Sequence, residues 1–225
     1  MKTYIVLPFK DRNGKYKKAL DQFIEPFMEY MNTNLEDYDI CIVEQQDGLL
    51  ASGENLFNLG RTTNIGFDIL CKEASDDDIF IFHPVDILPI STDYKIDMTT
   101  KFCAESHSPD GRFYKAMGFK CGDYRIINGY SNNYWGWGLE DDDLFIRLEI
   151  NKIDFQTKID KFNILAIDGN DESHENHFMP LYNSNHVFLH ELKINKDVTA
   201  SGLKNLSYEI LEKTTYKKIK KYIIK

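Results

Sequence analysis

The opening of the chain restricts its fold more than any other stretch. Thr3 to Phe9 is a short apolar run that reads as a buried strand, ending in Pro8-Phe-Lys-Asp-Arg12. Leu20, Phe23, Ile24, Phe27, Met28 and Met31 then recur at three- and four-residue steps. That spacing predicts an amphipathic helix of about five turns, kinked near Pro26. Asp39 to Val43 reads as a second strand. A strand, a crossover helix and a second strand open an α/β sheet. Ligands of open α/β sheets sit at the carboxyl ends of the strands, which places Pro8, Phe9, Lys10 and Arg12 at a ligand edge. There Lys10 and Arg12 could meet a diphosphate, Phe9 could lie against a nucleobase, and Pro8 would fix the turn. A basic strand end facing water is the competing reading.

The chain has 225 residues, 42% of them hydrophobic, enough for one sizeable core and a single domain. A net charge of -9 argues against a general nucleic-acid binder. Apolar stretches such as Ile79 to Phe82 are too short to cross a bilayer, and the N-terminus lacks the pattern of a signal peptide. The expectation is therefore a soluble protein or a soluble fragment, with no transmembrane segment. Cys41, Cys71, Cys103 and Cys121 lack CxxC spacing, so zinc is not expected and reduced thiols in a cytoplasmic compartment are.

Both tryptophans fall within Asn128-Gly-Tyr-Ser-Asn-Asn-Tyr-Trp-Gly-Trp-Gly-Leu-Glu-Asp-Asp-Asp143. Glycines beside large aromatics give a backbone that can swing a flat apolar plate. Carboxylates just beyond the plate can accept hydrogen bonds from hydroxyls or take a proton. An aromatic plate with several acceptors is a common way to hold a sugar. Equally, Glu140 to Asp143 could serve only as favourable charge at the N-terminus of the helix that Leu144, Phe145, Leu148 and Ile150 predict. Upstream, Asp76 to Ile90 reads as a strand running into a polar edge that carries Asp86. A carboxylate there suits a metal that bridges phosphates, and a turn cap is its structural alternative. Asn170 to Phe178 is rich in possible ligands, including His174 and His177.

In order along the chain these stretches resemble the β-1,4-galactosyltransferase family. Its Asn-x-x-Trp/Phe-Trp-Gly-Trp-Gly-x-Glu-Asp-Asp pattern covers the tryptophan stretch, and its Pro-Phe-Arg-Asn-Arg opening matches at Pro8, Phe9 and Arg12. Lys10 keeps the charge there and loses the bidentate fork. Asn58, Asn64, Gly66 and Phe67 match a second motif, with Leu59 standing where the family has a donor-binding arginine. The family's Asp-Val-Asp matches at Val85 and Asp86, with Pro84 in place of the first acid. Tyr114-Lys115 falls near the family's Gly-Gly segment, and Gly202, Leu203, Leu206 and Tyr208 match its closing motif.

The resemblance implies an α/β, single GT-A-type nucleotide-sugar-binding domain with a mixed central sheet flanked by helices. Residues 1–100 would be mainly nucleotide-binding, 101–210 mainly acceptor and catalytic, and 211–225 a basic C-terminal tail. It also implies an inverting transferase that moves a hexose, galactose first, from a UDP-sugar to a saccharide or glycoconjugate hydroxyl. Asp141 would be the base, with Trp137, Gly138, Glu140 and Asp142 at the sugars. Asp86 and His174, or His177 as second choice, would hold manganese, with magnesium as the alternative. UDP-GalNAc, UDP-glucose and a non-catalytic carbohydrate-binding relative are the other readings. The absence of a stem and anchor suggests a microbial or viral cytosolic enzyme.

Overall fold

The structure is a computed structural model that describes residues 1–11, 15–46, 48, 50–51, 54–104, 115–136, 138–164 and 181–225. Strand β1 (Thr3–Phe9), helix α1 (Lys15–Asn34) and strand β2 (Tyr38–Gln45) form the expected crossover, with Pro26 inside the helix. β1 runs parallel to β2 on one side and to β5 (Ile79–Phe82) on the other. All seven residues of β1 are buried, as expected for a strand covered on both faces. Alternation along the strand splits them. Ile5, Leu7 and Phe9 join Phe23, Phe27 and Met31 of α1 in one core cluster, and Tyr4 and Val6 join a second cluster on the opposite face.

That second cluster is roofed by α2 (Leu59–Leu70), α3 (Cys121–Ile126) and α4 (Glu140–Asn151). Gly66 of α2 lies so close to β1 that an added Cβ would come within 2.3 Å of Val6. The sheet continues through β8 (Ala116–Lys120), β7 (Thr100–Ala104) and β9 (Gln156–Asp160). With β11 (Ile210–Tyr216) and β12 (Ile219–Ile224) at one margin, its order is β11-β12-β2-β1-β5-β8-β7-β9. β8 is antiparallel to both β5 and β7, while β9 is parallel to β7, so the sheet is mixed. Short pairs β3 (Leu50–Ala51) with β4 (Glu54–Asn55), and β6 (Ile87–Pro89) with β10 (Phe162–Ile164), decorate its carboxyl edge.

The C-terminal segment, read from sequence as a terminal strand or helix with a solvated basic face, is a hairpin of β11 (Ile210–Tyr216) and β12 (Ile219–Ile224). β12 lies parallel to β2, pairing Ile219 with Ile40. Three lysines of the hairpin are partnered within the fold: Lys220 to Asp39, Lys221 to Glu44 and Lys217, in its turn, to Glu25. All four cysteines are free thiols. Among the described residues no helix is long and apolar enough to cross a membrane.

Candidate active site

The carboxyl ends of β1, β2 and β5 share one edge of the sheet, and the sequence delivers a polar group at each. Pro8 and Phe9 are the last residues of β1, and Phe9 is buried in the α1-side cluster beside Val85. Lys10 follows with its ammonium donating to the carbonyls of Gln45 (3.4 Å) and Gln46 (3.3 Å) at the end of β2. Its charge is thus held on the rim of the sheet. Arg12 lies outside the described residues.

One strand over, β5 ends in His83-Pro84-Val85-Asp86. Burial pushes the Asp86 carboxyl upward, against the nearby charge of Lys115, which lowers it. Lys115 enters because β8 runs antiparallel, pairing Phe82 with Met117, so the residue just before β8 comes to the same edge. A half-buried carboxylate with a raised pKa is a hard oxygen donor whose environment favours an added cation, which fits manganese or magnesium. Among the described residues no three His, Cys, Asp or Glu side chains cluster as a ready metal site. His174 and His177 lie outside the described residues, so Asp86 is the one anticipated ligand with a described place.

The tryptophan stretch reaches this rim through β2. Gln45, fully buried, donates to Leu56 O (3.1 Å) and accepts from Asn58 N (2.9 Å) and Thr62 Oγ1 (3.2 Å). The next residue along, Phe57, receives the N–H of Gly136 at 2.8 Å. Gly138 has φ +102, and a Cβ there would lie 3.2 Å from the Tyr182 ring. Asn185 of α5 (Tyr182–Asn195) donates to Gly138 O at 3.1 Å. Leu139, at φ 75, then turns the chain through the left-handed region into α4. Trp137 itself is outside the described residues.

Helix α4 begins with Glu140, Asp141, Asp142 and Asp143, and the structure separates their roles. Asp143 is buried and ion-paired with Arg147, while its other oxygen accepts from Tyr134 OH at 3.0 Å. Arg147 Nη1 also reaches the carbonyls of Ile127, Gly129 and Val198. This acid is a bolt for the loop. Glu140 behaves differently. Burial, and then the neighbouring charge of Asp141, push its carboxyl up to about 8, against hydrogen bonds from backbone N–H groups. The shift favours its protonated form, which can donate to an oxygen, over the ionised form needed of a base.

The sign of that shift gives a prediction. A carboxyl whose folded pKa lies above its unfolded value of 4.5 binds an extra proton in the folded state, so its contribution to stability falls as pH rises from about 4.5 to about 8. Glu140→Gln is therefore expected to raise Tm by several degrees at alkaline pH and to leave it nearly unchanged at acid pH. Differential scanning fluorimetry across pH checks this, and an equal effect at both ends would mean the charge is not the cause.

Several residues of the sequence motifs turn out to be joints. Asn64 donates to Tyr130 O (2.7 Å) and Asn132 Oδ1 (2.9 Å) and accepts from Tyr124 OH (2.7 Å). Asn128 donates to Val198 O at 2.8 Å and accepts from Lys204 N at 2.9 Å. Gly202 packs so tightly on Asn128 O that a Cβ would sit 2.0 Å away. These contacts fasten α2 and the closing motif to the tryptophan loop. Sequence reading missed the Asp143–Arg147 bolt, although its i,i+4 spacing was visible. It also missed Lys115 as a neighbour of Asp86, which only strand register reveals.

A mixed sheet with charged groups along its carboxyl edge, and an acidic helix start beside a glycine-bearing loop, give the domain a GT-A-type fold. The fold matches the catalytic domain of Drosophila β-1,4-galactosyltransferase 7 in complex with xylobiose, with a TM-score of 0.66 at 22% identity over 99% of this chain and 93% of that one. A mutant of that enzyme, in complex with manganese, UDP-Gal and xylobiose, matches with a TM-score of 0.65. The family model for the N-terminal region of glycosyl transferase group 7 matches residues 1–97, and the model for the N-terminal domain of galactosyltransferase matches residues 115–165. The chain belongs to the β-1,4-galactosyltransferase family. Human β-1,4-galactosyltransferase 4 is 31% identical over 158 residues, covering 66% of this chain and 43% of that protein. The xylosylprotein 4-β-galactosyltransferase of Caenorhabditis elegans is 25% identical over 163 residues, covering 68% of this chain and 52% of that protein. The chain thus spans about half the length of the curated relatives it matches or less.

Proposed function

We propose that this domain transfers a hexose, galactose in the first instance, from a UDP-sugar to a saccharide hydroxyl with inversion at the anomeric carbon. The observation that carries the reading is the acidic start of α4. There Asp143 is ion-paired with Arg147, burial disfavours the charged form of Glu140, and Asp141 stands where the family pattern has its base. Asp141 takes the proton from the acceptor hydroxyl as its oxygen attacks the anomeric carbon and the bond to the diphosphate breaks. Glu140 and Asp142 orient sugar hydroxyls, and Trp137 closes over the donor to exclude water. Arg12 holds the diphosphate, and Lys10, buried on the Gln45 and Gln46 carbonyls, joins it only by giving up those bonds. Asp86, with His174 or His177, would hold manganese, or magnesium in its place, whose chemistry is to neutralise the leaving diphosphate. The four free thiols support a reducing compartment.

The donor is the more open question, because Leu59 and Pro84 replace donor-contacting residues of the family pattern. UDP-galactose, UDP-GalNAc and UDP-glucose, each with manganese, are to be screened for UDP release, with and without a xyloside acceptor. The xyloside is chosen because the Drosophila neighbour carries xylobiose. Metal-dependent release with one donor, lost in Asp86→Asn, is the expected result. Sugar binding without release from any donor would favour a non-catalytic carbohydrate-binding relative.

A further inference from the structure

His83, three residues before Asp86, is deeply enclosed, with 1% of its surface exposed. Its backbone N–H donates to Val6 O at 3.0 Å, extending the β1–β5 ladder by one residue. The next residue, Pro84, has no N–H, so it cannot donate to that ladder, and the chain turns through Val85 and Asp86 into β6. Val85 plugs into the α1-side cluster. The imidazole sits against Phe27 (4.9 Å between ring centroids), Phe23 (5.8 Å) and Tyr94 (5.9 Å).

Within that aromatic box Nδ1 lies 2.7 Å from Pro84 O. A carbonyl only accepts, so Nδ1 carries the hydrogen and Nε2 is the bare nitrogen. Nε2 is buried without a hydrogen-bond partner among the described residues. Burial lowers the ring's pKa to about 4, so the neutral tautomer persists across the working range. Such a histidine is unsuited to proton transfer at neutral pH, and its free nitrogen is walled off by rings.

We propose that His83 is a positioning residue, whose Nδ1–H clamps the Pro84 carbonyl and thereby fixes the turn that aims the Asp86 carboxylate. With Val85 held in the core and the Pro84 carbonyl held by the ring, the turn is pinned at two successive residues, and Asp86 leaves it in one direction. The inference rests on Asp86 as the metal-holding acid, as proposed above.

The test pairs a metal titration with a metal-free measurement. Mn2+ affinity is read from the paramagnetic resonance signal of unbound Mn2+ for the wild type, Asp86→Asn, His83→Phe, His83→Gln and His83→Asn, with Tm recorded for each. His83→Phe fills the box and loses the donor, and is expected to weaken Mn2+ binding about tenfold, as loss of an outer-shell partner does. The amide nitrogen of His83→Asn falls near the position of Nδ1 and should restore much of the affinity, whereas that of His83→Gln reaches towards Nε2 and should not. A folded His83→Phe with unchanged affinity, or Asn and Gln variants that behave alike, overturns the proposal. If Asp86→Asn binds Mn2+ as the wild type does, the metal assignment fails and the inference falls with it. Independently, nitrogen NMR of the metal-free wild type should show a single Nδ1–H tautomer. An Nε2–H tautomer would overturn the clamp whatever the metal does, even if every variant failed to fold.

Discussion

Asp141→Asn is expected to lower sugar transfer by about 10²–10⁴-fold, the usual contribution of a positioned general base, while Tm stays within a few degrees. The amide keeps the size of the side chain and cannot take the acceptor proton. Glu140 is a poor substitute near neutral pH, because burial, the larger cause of its raised pKa, persists in the variant even though the Asp141 charge is gone. Asp143 cannot substitute either, being fully buried against Arg147. Donor binding, read by UDP affinity in the presence of manganese, should survive the change. Transfer at near wild-type rate would remove Asp141 from the base role, and Asp142 would then be the acid to test.

Arg147→Met is expected to be among the most damaging single changes to the fold. Removing one partner of a buried ion pair leaves the other charge without compensation, at a cost of about 3–5 kcal/mol. For a chain of this size that corresponds to a Tm lower by roughly 6–20 °C. The methionine also abandons the carbonyls of Ile127, Gly129 and Val198, which the guanidinium gathers from two separate loops. Burial already pushes Asp143 upward against the opposing pull of Arg147 and the Tyr134 hydroxyl. Without the arginine, the folded state of the variant should take up a proton there. Its deficit should accordingly shrink as pH falls, because protonation removes the stranded charge. The double variant Asp143→Leu/Arg147→Met should be more stable than Arg147→Met alone. A single variant melting like the wild type at neutral pH would show that the pair carries little.

Much of the architecture was legible in the chain because it is local. The strand–helix–strand opening announces itself through periodicity, and α1 and β2 fall where the spacing puts them. α4 follows from its acidic start and its apolar residues at helical steps. The C-terminal hairpin was not legible as a sheet edge, because nothing near Lys213 to Lys225 encodes that β12 will lie along β2. The segment read as a terminal strand or helix with a solvated basic face, whereas several of those lysines find acids on β2 and α1.

The site divides in the same way. Asp86 and the Glu140–Asp143 run could be singled out because a buried strand ending in an acid, and acids following tryptophans and glycines, are patterns along the chain. The jobs within the run could not be assigned, since the difference between Glu140 and Asp143 is burial and the company each keeps. Asn58, Asn64 and Asn128 matched a motif, yet their work is to join segments more than sixty residues apart, as Asn64 to Tyr130 and Asn128 to Val198 show. His83 has no sequence pattern at all, because its partners come from α1 and from the loop carrying Tyr94.

The parallel seam between β2 and β12 has a consequence for biosynthesis. Ile40 leaves the ribosome long before Ile219, its neighbour across that seam. Through most of translation one margin of β2 therefore has no strand beside it, with its apolar residues Ile40, Ile42 and Val43 at risk of pairing with another nascent chain. A cell making this domain has reason to shield that margin with a chaperone until the final hairpin emerges.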